Sequence, residues 1–416
     1  MFVPAVPNLR RKRRSAWCAG KPQRPPVQAP RLRALSLRSV STRLVPLPQA
    51  TRRLWQDWSA RLLSAELFAR LALGRFPQVV ETKLQLNSLV RRFRRLKSTR
   101  GTLVVVHGIN PRGAFDPRLE HVAKAFAAIG FDVFMPNVPA LEQLLVQPSG
   151  VDQIEQLVLN LTRQRELCPD GRLSLFGASI SGAMSLIAAT RPSIRDRIKA
   201  ICIVGGFAST ATVSEEILKL PPDADDYGRN VMFYNFVEYA LGPNDALKHA
   251  FYLAIHDNHF LRRGTAAEAL PGYLAQVDAE VASTYWRLQN DVPYRMHIAE
   301  RVMAETAHLM RTLSPVEYVH DLRCSRVVLV HGKFDEVVPV SEAELLYAKL
   351  RAAGMDTALC ITGFIGHGDK VLPPDSLGVV LQDALRMVDT WASFIEAAAQ
   401  RDRRKDLRVH AFDTTL

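Results

Sequence analysis

The 416 residues contain no apolar run approaching the roughly 18–20 needed to cross a bilayer, so a transmembrane protein is not expected. Cysteine is scarce. The five (Cys18, Cys168, Cys202, Cys324, Cys360) are odd in number and widely spaced, with no C-x-x-C. That pattern suggests neither a disulfide framework nor a zinc site and reads as an intracellular, cytoplasmic protein with reduced thiols. Acids are nearly missing from the first hundred residues. Asp57, Glu66 and Glu81 stand against 23 Lys/Arg, a net +20, while the remaining 316 residues carry a net −7. The basic excess therefore belongs to one end, and a nucleic-acid-binding body is not supported. The apolar fraction of 48% and the charged fraction of 23% exclude a fully disordered or fibrous chain. The length allows two or three domains, or one large domain with an insert.

Residues 1–53 read as an Arg/Pro-rich arm. Pro4, Pro7, Pro22, Pro25, Pro26, Pro30, Pro46 and Pro48 oppose a long helix, and few large apolar residues are present to offset ordering entropy. The arm is expected to be disordered. No apolar stretch follows Arg10–Arg14, so a secretory signal is not expected. The Arg-rich, acid-free start resembles an organelle transit peptide, but the prolines argue against the amphipathic helix such signals use. A solvated tail, a misplaced start and peripheral contact with anionic membrane lipid all remain open. Residues 54–100 form a lead-in. Leu54–Leu73 favours a helix with apolar residues all round (Trp55, Trp58, Leu62, Leu67, Leu71), which predicts packing on the body. The run Arg91–Arg95 reads either as a basic edge strand or as a lipid-facing patch.

From Thr102 short apolar runs alternate with helical stretches. The runs are Leu103–Val106, Phe131–Met135, Leu173–Phe176, Ile201–Val204, Arg326–Val330 and Thr357–Ile361. Such alternation predicts a doubly wound, mostly parallel sheet covered on both faces. The core is expected over 101–206 and 319–416. Between them, 207–318 carries no strand signal and reads as an inserted all-helical cap, with helices near Tyr227–Leu241, Asp245–Phe260, Ala266–Leu288 and Tyr294–Leu313.

Ligands in open parallel sheets bind at the carboxyl ends of the strands, so the residues ending each strand are the candidates. Leu173–Phe176 runs into Gly177-Ala178-Ser179-Ile180-Ser181-Gly182 and then a helix, which resembles the G-x-S-x-G nucleophile elbow. A turn that tight needs small residues two positions either side of the serine. Gly177 and Ser181 supply them, although Ser181 stands where the pattern has glycine. An ordinary helix N-cap is the alternative for Ser179. Leu103–Val106 ends in His107-Gly108-Ile109-Asn110. A backbone N–H from this turn, with that of Ile180, forms an oxyanion hole in this reading. Gly108 permits close backbone approach, and His107 is expected to be a packed, supporting histidine.

Val327–Val330 is followed by Asp335, placed to orient a histidine, with Glu336 as the competing acid. Thr357–Ile361 is followed by the Gly-rich loop holding His367, the histidine between the last strand and the last helix.

Ser179, Asp335 and His367, in that chain order and each past a strand end, resemble the α/β-hydrolase superfamily, serine esterase/lipase-like members in particular. The resemblance covers Thr102–Gly206 and Val319–Ala399. It implies acyl transfer without a cofactor. Ser179 attacks a carbonyl carbon, His367 moves the proton, Asp335 holds the imidazole, and the Ile109 and Ile180 N–H groups stabilise the oxyanion. Serine at the elbow disfavours branches that use an aspartate nucleophile.

Eight of nine tyrosines lie between Tyr227 and Tyr318, with Phe233, Phe236, Phe251, Phe260 and Trp286. They read either as an apolar pocket roof for a fatty or aromatic acyl ester or as packing within the cap. His256 and His259 have helical spacing but no third ligand, so no metal is expected. The leading expectation is a serine hydrolase of carboxylic esters acting on a small-molecule substrate. The same triad also suits a thioesterase, an acyltransferase or a C–C hydrolase. A catalytically silent binding module at a membrane surface is the alternative from another class. Oligomeric state is not indicated.

Overall fold

A computed structural model describes residues 49–96, 99–258, 261, 267–366 and 377–399, of which 49–56 and 377 as backbone only. Residues 1–48 of the arm expected over 1–53, and His367, lie outside the described residues, while 49–53 are the start of a helix and not the expected disordered chain. The chain opens with α1 (Gln49–Leu73), then a hairpin of β1 (Val79–Gln85) and β2 (Leu89–Arg95). Next come β3 (Thr102–Val106), α2 (Pro117–Ala128), β4 (Asp132–Pro136), α3 (Pro139–Glu142), α4 (Ser149–Arg163), β5 (Leu173–Ala178), α5 (Ile180–Thr190) and β6 (Ile198–Val204). Six helices follow among the described residues: α6 (Thr210–Lys219), α7 (Tyr227–Leu241), α8 (Asp245–Asp257), α9 (Ala269–Leu274), α10 (Ala279–Asn290) and α11 (Val292–Thr312). The chain then returns through β7 (Arg326–Gly332), α12 (Val340–Ala352), β8 (Thr357–Thr362) and α13 (Leu377–Ala399).

The eight strands form one sheet in the order β1-β2-β4-β3-β5-β6-β7-β8. The pairs β1–β2 and β2–β4 are antiparallel and all others parallel. The crossovers between parallel strands place helices on both faces. This is the α/β-hydrolase fold, a doubly wound, mostly parallel sheet with helices inserted between β6 and β7.

The period-two alternation of strands divides the core. Val104, Val106, Leu175, Ile203 and Leu329 pack in one layer, with α4, α5 and the inserted helices. Leu103, Val105, Phe176, Cys202 and Val330 pack in the other, with α1, α2 and α13. α1 is anchored to the second layer by fully buried Leu67, by Phe68 edge-on to Trp391, and by Arg61 paired with Asp389. No helix among the described residues is long and apolar enough to cross a membrane.

The run Arg91–Arg95 is not an edge strand, and only Arg94 of its arginines is exposed. β2 lies between β1 and β4, and Arg91 and Arg92 are buried. Arg91 pairs with Glu81 and Glu120, both at 2.7 Å, and stacks over Phe93 and Phe115. Arg92 forms a two-point pair with Asp132 at 2.8 and 2.5 Å. Acids on neighbouring elements neutralise the two buried arginines, Arg91 and Arg92, which is how their charge is tolerated inside the sheet.

Candidate active site

Ser179 stands between β5 and α5 with φ 55° and ψ −131°. A non-glycine residue held there costs of order 1–3 kcal/mol, so its surroundings must over-determine it. They do. Its N–H donates to Val204 O at 2.8 Å, and its carbonyl accepts from Gly182 N at 2.9 Å. A Cβ on Gly177 would stand 2.6 Å from the Gly182 backbone, and one on Gly182 2.5 Å from Ile203 Cγ2, so the bend admits glycine alone at both positions. The Ser179 hydroxyl makes no cap bond to α5, which removes the ordinary N-cap explanation. Ser181 is fully buried. Its Oγ accepts from Ala178 N at 2.9 Å and lies 2.9 Å from Val106 O, so its hydroxyl ties the elbow to the end of β3. The serine in place of the motif's glycine is thus a fastening, not a tolerated lapse.

His107 is completely buried. Its Nδ1 bonds Gly108 O at 2.7 Å and its Nε2 accepts from Val138 N at 3.0 Å, which is the neutral tautomer. Burial lowers its pKa below 6.5, against the opposing pull of the Gly108 carbonyl. Both ring nitrogens are thus spent on backbone partners. The reason given for Gly108 is not supported: a Cβ there meets only Ala178 O, at an ordinary 3.7 Å, so close approach does not require glycine. Ile109 lines the same cavity as Ser179 and Ile180. Its carbonyl accepts the Tyr227 hydroxyl at 2.7 Å. Burial raises the Tyr227 pKa, against the opposing charge of Arg118 and with a lesser push from the carboxylates of Asp116 and Asp225, so the phenol stays a donor. Beside it, Asp116 caps α2 and holds Arg118. Burial opposes its charge, but the bonds and charge of Arg118 outweigh this and lower its pKa.

The Asp335 side chain is fully buried, whereas Glu336 is exposed. Asp335 Oδ1 accepts the N–H groups of Val337 and Val338 at 3.0 and 2.9 Å, fixing the carboxylate after β7. Its Oδ2 lies 3.7 Å from Nε2 of buried His331, which also bonds Val338 O at 2.8 Å. Sequence reasoning passed over His331. The signal was available: His-Gly ends both β3 and β7, and both imidazoles reach the backbone of a following segment. The loop that carries His367 begins at Gly363, whose N–H, with the Thr362 hydroxyl, is held by Asp383 Oδ2 at 2.8 and 3.0 Å.

Ser179 opens into a cavity of about 950 Å³. Residues past the ends of β3 (Ile109), β5 (Ser179), β6 (Gly205), β7 (Val337) and β8 (Phe364) all line it, so five parallel strands point their carboxyl ends at one space. The walls are mainly aliphatic and aromatic. Among the described residues no group of His, Cys, Asp or Glu is placed to hold a metal ion. His256 bonds Tyr252 O through Nδ1, and His259 lies outside the described residues.

No protein-family model matches the chain, and no curated protein sequence does. Solved structures similar to it include an acylaminoacyl peptidase of Pyrococcus horikoshii, at 14% identity and TM-score 0.44, over 80% of this chain and 44% of that one. The chain thus spans less than half the peptidase's length. Esterase B of Lactobacillus rhamnosis is similar at 12% identity and TM-score 0.45, over 88% and 99% of the two chains. An esterase of Pyrobaculum calidifontis is similar at 15% identity and TM-score 0.41, over 85% and 94%.

Proposed function

We propose that this protein is a serine hydrolase of carboxylic esters with apolar acyl groups. The observation that carries the reading is Ser179 itself, an uncapped hydroxyl on a strained strand-to-helix bend, opening into a large apolar cavity. In this reading Ser179 Oγ attacks the ester carbonyl. His367 takes its proton and returns it to the leaving alcohol. Water then repeats the sequence on the acyl-enzyme. Asp335, held by two backbone N–H groups, orients the imidazole and stabilises its charge. The N–H groups of Ile109 and Ile180 receive the oxyanion, each contributing about 3–4 kcal/mol to the transition state.

A fluorophosphonate probe is expected to label the protein and to fail on Ser179→Ala, with p-nitrophenyl butyrate turnover falling by roughly 10⁴-fold or more. Folded protein that resists labelling would overturn the proposal and favour a silent module. Labelled protein that hydrolyses thioesters or transfers acyl groups in preference to hydrolysing esters would keep Ser179 and replace the substrate class.

A further inference from the structure

We infer that the cavity has a second hydrocarbon subsite walled by α1, α2 and α13, so that the ester it accepts carries an extended apolar group on each side of the scissile carbonyl. The inference rests on Ser179 being the nucleophile and goes beyond it in naming the substrate's shape.

The cavity draws its walls from both core layers. On one side stand Phe207, Val213, Ile217, Val231 and Met232, from the segment after β6, all in the layer of the inserted helices. On the other stand Phe68 and Leu71 of α1, Val122 of α2, and Met387 and Trp391 of α13, all in the opposite layer. A parallel sheet separates those layers everywhere except past its strand ends, so one continuous cavity can touch both only by crossing the carboxyl edge. Ser179 is on that edge. A nucleophile so placed has an apolar space on either hand.

The chemistry of the second space is narrow. Besides the aliphatic and aromatic side chains, its polar members on α2 are Arg118, which is paired with Asp116 at 2.9 Å, and His121, whose Nε2 is spent on Leu71 O at 2.9 Å. A charged or sugar-like group would lose its water there for few replacement bonds, the buried Trp391 Nε1, unpartnered among the described residues, being one donor. A hydrocarbon gains about fourfold in binding per methylene buried. A substrate with a small or polar alcohol and one fatty acyl chain would leave one of the two spaces empty.

The small side chain of Ala384 on α13 faces this second space and can be enlarged to fill it. Two ester series test the inference, one lengthening the acyl chain of p-nitrophenyl esters and one lengthening the alcohol of alkyl butyrates. In the wild type, kcat/KM is expected to rise with length in both. Ala384→Phe is expected to lower the ratio of the longest to the shortest ester at least tenfold in one series and to spare that ratio in the other. Equal effects on both series, or on neither, would overturn the subsite.

A binding measurement covers the case in which that variant does not fold. Titrating the full chain with 1-dodecanol should change tryptophan emission saturably through Trp391, which is 4% exposed and lines the space. The change should be lost in Trp391→Phe. A wild type with no saturable change would overturn the subsite. Failure of fluorophosphonate labelling, by contrast, would count against the nucleophile and leave the dodecanol result standing.

Discussion

The hydroxyl of Tyr227 donates to the carbonyl of Ile109 at 2.7 Å, across 118 residues of sequence. It links the first turn of α7, in the inserted helices, to the loop after β3, whose Ile109 lines the same cavity as Ser179. A peptide plane is rigid, so the bond to the Ile109 carbonyl fixes the Asn110 N–H of the same plane and limits how far the adjoining Ile109 N–H, the oxyanion donor proposed above, can turn. Tyr227 is in this sense a positioning residue. Tyr227→Phe is expected to lower kcat for p-nitrophenyl butyrate about tenfold with little change in KM, because a misplaced oxyanion donor is felt in the transition state. Steady-state kinetics decides. A raised KM at unchanged kcat would confine Tyr227 to substrate binding.

Ser181 offers a prediction against the usual motif. Ser181→Gly restores the G-x-S-x-G spelling yet removes the hydroxyl between Ala178 N and Val106 O. A lost buried bond that leaves a partner unsatisfied costs about 1–3 kcal/mol, and glycine within a helix a further 0.5–1 kcal/mol or so. The variant should therefore unfold at lower denaturant while still reacting with a fluorophosphonate. Equal or greater stability in urea titrations would show that the fastening contributes nothing.

Much of this was legible in the chain, for reasons that differ by element. β3 and β7 are buried on both faces and read as unbroken apolar runs, found within two residues of their bounds. β1, mostly exposed with the sequence VVETKLQ, carries no such run and was missed. β2 was legible as a strand but not as an interior one, because its arginines are neutralised by Glu81 and Asp132, 10 and 40 residues away. One helix was expected over Ala266–Leu288. α9 and α10 appear instead, because Asp278 caps Glu280 N and starts a new helix. Ser179 could be read because an elbow's steric demands are local. The Tyr227–Ile109 bond and the His331–Asp335 contact depend on tertiary placement, and spacing alone does not announce them.

His107 sets a pH dependence of stability. Its folded pKa lies below 6.5 because burial disfavours the imidazolium, while the unfolded chain titrates near that value. Below about 6.5 the unfolded state therefore binds more protons than the folded one, and stability falls as pH drops toward the folded pKa. Asp116, whose folded pKa is depressed, loses its contribution only lower, below its ordinary 3.8. Urea unfolding at pH 7.5 and pH 5.0 should show a loss for the wild type that is smaller in His107→Gln, which keeps a donor and an acceptor without titrating. An identical loss in both would assign the effect elsewhere.

The basic arm makes the last prediction, which we offer as a proposal about where the protein works. Thirteen Lys/Arg and no acid precede Leu54, the last two of them, Arg52 and Arg53, within α1. On α1, Trp58 and Leu62 stand one turn apart, 61% and 68% exposed. Cations that precede exposed apolar side chains in the sequence suit an anionic bilayer, where each cation contributes about 1 kcal/mol near the surface and apolar side chains enter the interface. The full chain should then sediment with phosphatidylserine vesicles and not with phosphatidylcholine alone. Replacing the five cations of Arg10–Arg14 by glutamine should weaken that binding by tenfold or more, and Trp58→Ser with Leu62→Ser should weaken it further. The two contributions are separable, since raised salt screens the first and leaves the second. Equal sedimentation of wild type and both variants would remove the membrane from the account and leave the arm as solvated chain.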